Sequence, residues 1–393
     1  MKDYKMIIRG YDFGPCVEKI IVDWDGTDAK PEDFTLHVRK KGSFFNETPE
    51  LKGTRKIIGC HTEGKDLVLE LEVHPSCYLG KALSMDKIEK GPGKIYIGNQ
   101  WAKPYDYTLN YKGKDYPLNL TNVKKEIVDL FESGAFVASD GIRLQYAHFT
   151  PHEAASSKRP LIIWLHGAGE GSFFDTQPAD IAIIANRVVA LADKPIQDIM
   201  KGAFVLAPQT PTMWMDDGEG AYTQDGTSKY GDALAEFIEN YINNNTNIDK
   251  NRVYIGGCSN GGFMTMKMLF IRPNLFAAAF PVCQGYDPEW VTDEMIESIK
   301  HIPIWQIHAK NDGVLPYTIS EETHKRLVNA NAKDANITLF ENMVSMCGKW
   351  KDKNNKPWEY DGHFSWIHLF NNDIKNDKTG FFEWLANSIS AKP

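Results

Sequence analysis

The most reactive pattern in the chain is Gly257-Cys258-Ser259-Asn260-Gly261-Gly262, a G-x-S-x-G sequence between the apolar run Val253-Tyr254-Ile255 and the helix-forming run Phe263-Met264-Thr265-Met266-Lys267-Met268-Leu269. A strand that turns sharply into a helix strains such a serine and exposes its hydroxyl at the helix N-terminus, where backbone N–H groups can receive an anion. The glycines two positions either side are required because side chains there would strike the neighbouring strand and helix. A hydroxyl is a weak nucleophile, so acyl-transfer chemistry needs a base and an acid that orients it. Asp312, in Asn311-Asp312-Gly313 beyond the strand-like run 302–308, is the candidate acid. His363, in Asp361-Gly362-His363-Phe364-Ser365-Trp366, is the candidate base. His308 lies inside a strand and reads as structural, and His368 sits in a run that suggests packing. Cys258, between a glycine and the serine, reads as pointing into the protein.

A second glycine-rich loop, His166-Gly167-Ala168-Gly169-Glu170-Gly171, follows the apolar run 161–165. Backbone N–H groups of such a loop can approach a substrate oxygen. Ala168 N–H is the expected oxyanion donor, with Gly169 as its competitor and Asn260 N–H, directly after the serine, as its partner. His166 reads as a strand-end residue that shapes the loop, and Glu170 either braces the loop or meets substrate. Trp214, Gln284 and Trp366 stand near strand ends or beside the base, so each is a candidate for substrate contact and equally for packing.

These residues need a scaffold, and the hydrophobic patterning changes near residue 122. Residues 1–122 carry short β-branched or alternating runs at 17–22, 34–38, 67–73 and 94–97, punctuated by turns such as Asp25-Gly26 and Gly91-Pro92-Gly93. That pattern predicts a small β-sandwich. From residue 123 a strand pair around Asp140-Gly141 precedes alternating strands (161–165, 203–207, 253–256, 277–282, 302–308, 337–341) and helices (179–200, 231–243, 262–271, 319–331). The alternation implies parallel βαβ units in a sheet covered on both faces, with active residues at the carboxyl ends of its strands.

Composition narrows the classes further. With 44 basic against 52 acidic residues the net charge is −8, so a nucleic-acid partner has no electrostatic support. The apolar runs are far shorter than the ~20 residues that cross a bilayer. The six cysteines form neither a disulfide framework nor a zinc spacing, so no metal is expected at them. The N-terminus shows no apolar signal region, and a cytoplasmic location is expected.

The four motifs together resemble the α/β-hydrolase superfamily over the carboxyl-terminal ~270 residues, with the serine, acid and histidine in that superfamily's chain order. They look most like serine esterases of the dienelactone-hydrolase and prolyl-oligopeptidase-like branch, some of which carry an N-terminal immunoglobulin-like domain that residues 1–122 would fit. The resemblance implies an immunoglobulin-like domain at 1–122 and a hydrolase domain at 123–393. It implies cofactor-free hydrolysis of short-chain or sugar- and aryl-linked carboxylic esters. It also implies an added domain that shapes the active-site entrance or mediates self-association into a homo-oligomer. The alternative is a serine peptidase of the prolyl-oligopeptidase type, against which the N-terminal region is too short for a propeller.

Overall fold

The computed structural model describes residues 2–25, 30–42, 50–89, 95–155 and 157–390, so the turn residues Gly26 and Gly91 to Gly93, and Lys94, lie outside the described residues. Two units are distinguished: Met1–Glu89 with Ile97–Asp129, and Lys90–Tyr96 with Leu130–Pro393.

The first unit is all β. Its strands are β1 (Lys2–Tyr11), β2 (Gly14–Asp23), β3 (Phe34–Lys41), β4 (Glu50–Arg55), β5 (Ile57–Glu63), β6 (Asp66–Leu71), β7 (Leu83–Glu89), β8 (Ile95–Trp101), β9 (Tyr105–Tyr111) and β10 (Lys114–Lys125). Strand β3 shows why the period-2 pattern works. Phe34, Leu36 and Val38 are buried while Thr35, His37 and Arg39 face solvent. Eight strands run in the order β4-β3-β9-β10-β1-β2-β6-β5, and β7 and β8 form a separate two-stranded sheet. β10 joins two ladders: Lys114–Pro117 pair antiparallel with β9, and Leu118–Lys125 pair parallel with β1. Because β10 continues to Lys125, the division between the units falls at Asp129, later than the change of pattern near 122.

The second unit is built on β11 (Glu132–Val137), β12 (Arg143–Phe149), β13 (Arg159–Leu165), β14 (Phe204–Gln209), β15 (Ile248–Cys258), β16 (Ala278–Val282), β17 (Ile304–Ala309) and β18 (Ala335–Phe340). The sheet order is β11-β12-β14-β13-β15-β16-β17-β18. The first three neighbours pair antiparallel, and β14 onward is parallel. Strands β14, β16 and β17 are buried at every residue, as both faces are covered. The helices are α1 (Ile181–Ile184), α2 (Lys194–Met200), α3 (Gly231–Asn244), α4 (Asn260–Ile271), α5 (Asp293–Ile299), α6 (Thr318–Asn329), α7 (Trp366–Phe370) and α8 (Phe381–Asn387). This is the α/β-hydrolase fold preceded by an all-β region.

The single helix expected over 179–200 is not formed. Arg187 adopts a left-handed conformation at φ +60°, and Pro195 opens the first turn of α2. A proline there has no N–H to give Leu191 and its ring would strike that carbonyl, so a continuous helix is blocked. Among the described residues, no helix is long and apolar enough to cross a membrane.

Candidate active site

Strand β15 ends at Cys258 and helix α4 starts at Asn260, leaving one residue for the turn. Ser259 makes it with φ +56° and ψ −116°, a conformation that L-residues rarely hold without surrounding support. The support is local. Ser259 N donates to Val282 O at 3.0 Å, and its own carbonyl accepts from Phe263 N at 2.9 Å. The Ser259 side chain does not cap α4, so the hydroxyl is not committed to the helix. The flanking glycines are dictated by sterics: a Cβ on Gly261 would lie 2.0 Å from Leu165 O, and one on Gly257 2.6 Å from the same atom. Asn260 N–H is the first of α4 and belongs to the donors that a helix leaves without an internal partner.

Beyond β17, the Asp312 side chain is fully buried and its Oδ2 lies 2.8 Å from His363 Nδ1. His363 stands just before α7, with its N–H donating to Asp361 Oδ1 at 2.9 Å. The two loops press together at Gly362, where a Cβ would lie 2.2 Å from Asn311 O. Burial alone would raise the Asp312 carboxyl, but hydrogen bonds from His308 and His363 outweigh it and hold the group well below the ordinary carboxylate range. Asp312 is therefore an anion, and the bonded His363 nitrogen carries the proton. The free Nε2 of a neutral His363 is then a lone pair, a base. Cys283 connects the two halves of the site. It follows Val282, the partner of Ser259 N, and its Sγ lies within 4.8 Å of donor atoms of both Asp312 and His363. That sulfur, carboxylate and imidazole set is where a metal could be held among the described residues. Asp312 and His363 are, however, already bonded to each other, and burial pushes the Cys283 thiol up so that it stays neutral.

The oxyanion candidates Ala168 and Gly169 lie in a short 3-10 turn, Ala168–Glu170, directly after β13, and both are half-buried. His166 beneath them is fully buried. It accepts from Thr210 N at 3.1 Å through Nε2 and donates through Nδ1 to Gly167 O at 2.6 Å. Burial lowers its pKa to about 4, so it is a neutral loop brace, as a strand-end residue should be. Glu170 is only 5% exposed, with Asn186 Nδ2 3.5 Å from its Oε2. The same Asn186 nitrogen lies 3.1 Å from Cys258 Sγ, which fixes that side chain inward.

Three expected substrate contacts have other employment. Trp214 is fully buried, packed on His166 and edge-on to Tyr230, so it presents no surface to a ligand. Gln284 is equally buried, and its Oε1 accepts from Tyr286 N at 2.6 Å. Trp366 packs edge-on against the His363 ring at 5.9 Å and braces that side chain. His368 is buried and bonded to Asp373 at 2.9 Å. Two neighbours of the site were missed or read only as structural from the sequence. Asn186 carries no local signal, whereas His308 stands four residues before the acid, a spacing that brings the two side chains together across the strand end.

Residues 148–350 match the phospholipase/carboxylesterase family, a span that includes Ser259 and Asp312 and stops before His363. Comparison with curated proteins finds no match. Among solved structures, a thermostable esterase is 25% identical and superposes with a TM-score of 0.74, covering 98% of this chain and 99% of its own. An acylaminoacyl peptidase from Pyrococcus horikoshii is 14% identical, with a TM-score of 0.44 over 93% of this chain and 70% of its own. An S-formylglutathione hydrolase from Agrobacterium tumefaciens is 14% identical, with a TM-score of 0.44 over 65% and 94%. With a strained serine between β15 and α4 and a family match spanning half its length, the chain belongs to the phospholipase/carboxylesterase family and is a serine hydrolase of carboxylic esters.

Proposed function

We propose that Ser259, His363 and Asp312 act as nucleophile, base and orienting acid of a carboxylesterase for short-chain or sugar- and aryl-linked esters. The observation that carries the reading is the strained Ser259 at a strand-to-helix turn, at the carboxyl ends of the same parallel strands as the 2.8 Å Asp312–His363 hydrogen bond. His363 Nε2 takes the Ser259 proton as Oγ attacks the ester carbonyl. Asp312 stabilises the imidazolium that forms, while Ala168 and Asn260 N–H groups receive the oxyanion. His363 then protonates the departing alcohol, and water releases the acyl group by the reverse path. The thermostable esterase, matched along nearly its whole length, supports ester over amide chemistry. We read the all-β unit as an immunoglobulin-like sandwich, a reading supported by the division of β10 between β9 and β1.

The test is hydrolysis of p-nitrophenyl esters from acetate to palmitate, beside a proline-containing aminoacyl anilide. Activity is expected on short chains and, in Ser259→Ala, a fall of about 10⁴-fold or more with the fold retained. Undiminished hydrolysis by a folded Ser259→Ala protein would end the assignment. Turnover of the anilide alone would move the activity to a peptidase.

A further inference from the structure

The Asp312 carboxylate is met on both oxygens. Oδ1 accepts from Val314 N at 2.8 Å and Leu315 N at 3.0 Å. Oδ2 lies near two imidazoles, His363 Nδ1 at 2.8 Å and His308 Nε2 at 3.1 Å. His308 belongs to β17 and is fully buried. Its Nε2 also lies 3.2 Å from Leu315 O, and its Nδ1 lies 2.9 Å from the buried Ser320 Oγ of α6. A carboxylate and a carbonyl are both pure acceptors, so His308 carries its proton on Nε2. In the neutral ring Nδ1 accepts the Ser320 hydroxyl proton. A directed chain results: Ser320 donates to His308, and His308 to Asp312, at the oxygen that also receives the His363 N–H.

We propose that His308 is a positioning residue for ester hydrolysis, its Nε2–H fixing the plane of the Asp312 carboxylate and sharing the charge on Oδ2 that His363 uses. The inference rests on the reading of Ser259, His363 and Asp312 given above. The two backbone N–H groups on Oδ1 hold one oxygen but leave the carboxylate free to tilt about it. Among the described residues, the donor at Oδ2 that keeps its proton throughout is His308, because His363 must change its own protonation during each turnover. The groups facing His308 are Asp312 and Leu315 O from the acid loop and Ser320 from α6. Cys283, directly after β16, faces Asp312 as a neutral thiol.

Two amide substitutions separate the roles of the two ring nitrogens. His308→Asn places its amide near the Nδ1 position, retaining a partner for Ser320 and losing the donor to Asp312. His308→Gln reaches the Nε2 position and retains that donor. With p-nitrophenyl acetate, His308→Asn is expected to lower kcat about ten- to a hundred-fold with KM within about twofold, since a small misplacement of the acid and base is enough. Oδ2 no longer shares its charge between two donors, so the charged form of His363 is favoured. The acid limb of the kcat/KM profile therefore moves to higher pH by about half a unit. His308→Gln should recover most of kcat and the wild-type limb. A covalent fluorophosphonate count of competent serines normalises kcat to folded enzyme, and His308→Leu with Ser320→Ala provides an apolar pair should the Asn variant fail to fold. Wild-type kcat in a donor-less variant would overturn the proposal, as would a lowered kcat with an unmoved acid limb, because a merely structural histidine gives that pattern. If Ser259→Ala remains active the underlying site reading fails instead, so the two failures are distinct.

Discussion

In the first unit the deeply buried charges are cations held by carbonyl oxygens; in the second, the buried charge at the candidate site is a carboxylate held by imidazoles and N–H groups. Arg55, 3% exposed, donates to Val17 O at 2.9 Å, Glu72 O at 3.0 Å and the Tyr107 hydroxyl at 3.2 Å. Lys40, equally buried, donates to Tyr78 O at 3.2 Å and Lys81 O at 2.5 Å, and burial lowers its pKa to about 8. These bonds tie strands and a turn together and satisfy carbonyls that would otherwise be orphaned. Asp312, by contrast, receives four donors of which one, His363, is the proposed base. The lesson concerns partners more than burial. A buried ion bonded only to groups that never titrate near neutrality is structural, whereas one bonded to an imidazole can take part in proton transfer.

The contrast breaks most sharply at Asp312→Asn. The amide keeps the shape and can still accept at one oxygen, yet it carries no charge to stabilise an imidazolium and favours the wrong His363 tautomer. A fall in kcat of about 10⁴-fold is expected with little change in melting temperature, measured by ester hydrolysis and thermal unfolding. If Asp312→Asn instead unfolded the second unit while the surviving folded enzyme turned over normally, the carboxylate would be structural in the manner of Arg55.

A second, smaller effect separates the units by pH. His166 is held neutral by burial, with its folded pKa at about 4 against 6.5 in the unfolded chain. Between those values the unfolded chain binds a proton that the folded chain does not, so stability falls as pH drops from 6.5 toward 4. The loss approaches about 3 kcal/mol at the lower limit, at 1.36 kcal/mol per unit. Lys40 contributes no slope there, because it is charged in both states below its folded value of about 8. Urea unfolding at pH 7 and at pH 4.5 should therefore lower the midpoint of the second unit, and His166→Gln should flatten that dependence. An equal pH slope in the variant would assign the acid sensitivity elsewhere.

How much of this was legible in the sequence follows from the range over which each feature is determined. The elbow was legible because its constraint is local: glycines at 257 and 261 are needed wherever a strand turns into a helix over one residue. The parallel strands were legible because sheets covered on both faces demand continuous apolar runs such as 161–165. The first unit showed only four of its strand runs: β4 and β5, for example, are largely exposed strands at the two ends of the sheet, paired with their sequence neighbours β3 and β6, and carry no continuous buried apolar run. The break at Arg187 was hidden because an arginine gives no hint of a left-handed backbone, whereas Pro195 was a visible boundary signal that the expected helix over 179–200 ran through. Trp214 and Gln284 were placed at the right strand ends, but which way a strand-end side chain points depends on the tertiary packing around it. His308 was read as structural from its position inside a strand. Its bond to Asp312 appears only once the loop after β17 folds back over it.

The smallest expected effect tests the first unit's side of the contrast. Arg55→Leu removes the donors to Val17 O and Glu72 O and leaves both carbonyls, with the Tyr107 hydroxyl, to find other partners inside the unit. Leucine has close to the right volume for the aliphatic stem but cannot replace those bonds, and it also removes a buried cation whose desolvation opposes folding. The two terms act in opposite directions, so the net loss should be about 2 kcal/mol, the order expected for buried acceptors left unsatisfied. Because Arg55 touches no group of the Ser259 site, ester hydrolysis per folded molecule should equal that of the unsubstituted enzyme, and only the unfolding midpoint should move. Arg55→Lys sharpens the point: a single ammonium cannot serve two carbonyls, the Tyr107 hydroxyl and the Tyr105 hydroxyl (3.4 Å from Arg55 Nη1) at once, so retaining the charge should restore less than half of the lost stability. Full recovery by lysine would mean that the charge, and not the forked set of donors, is what this buried cation contributes.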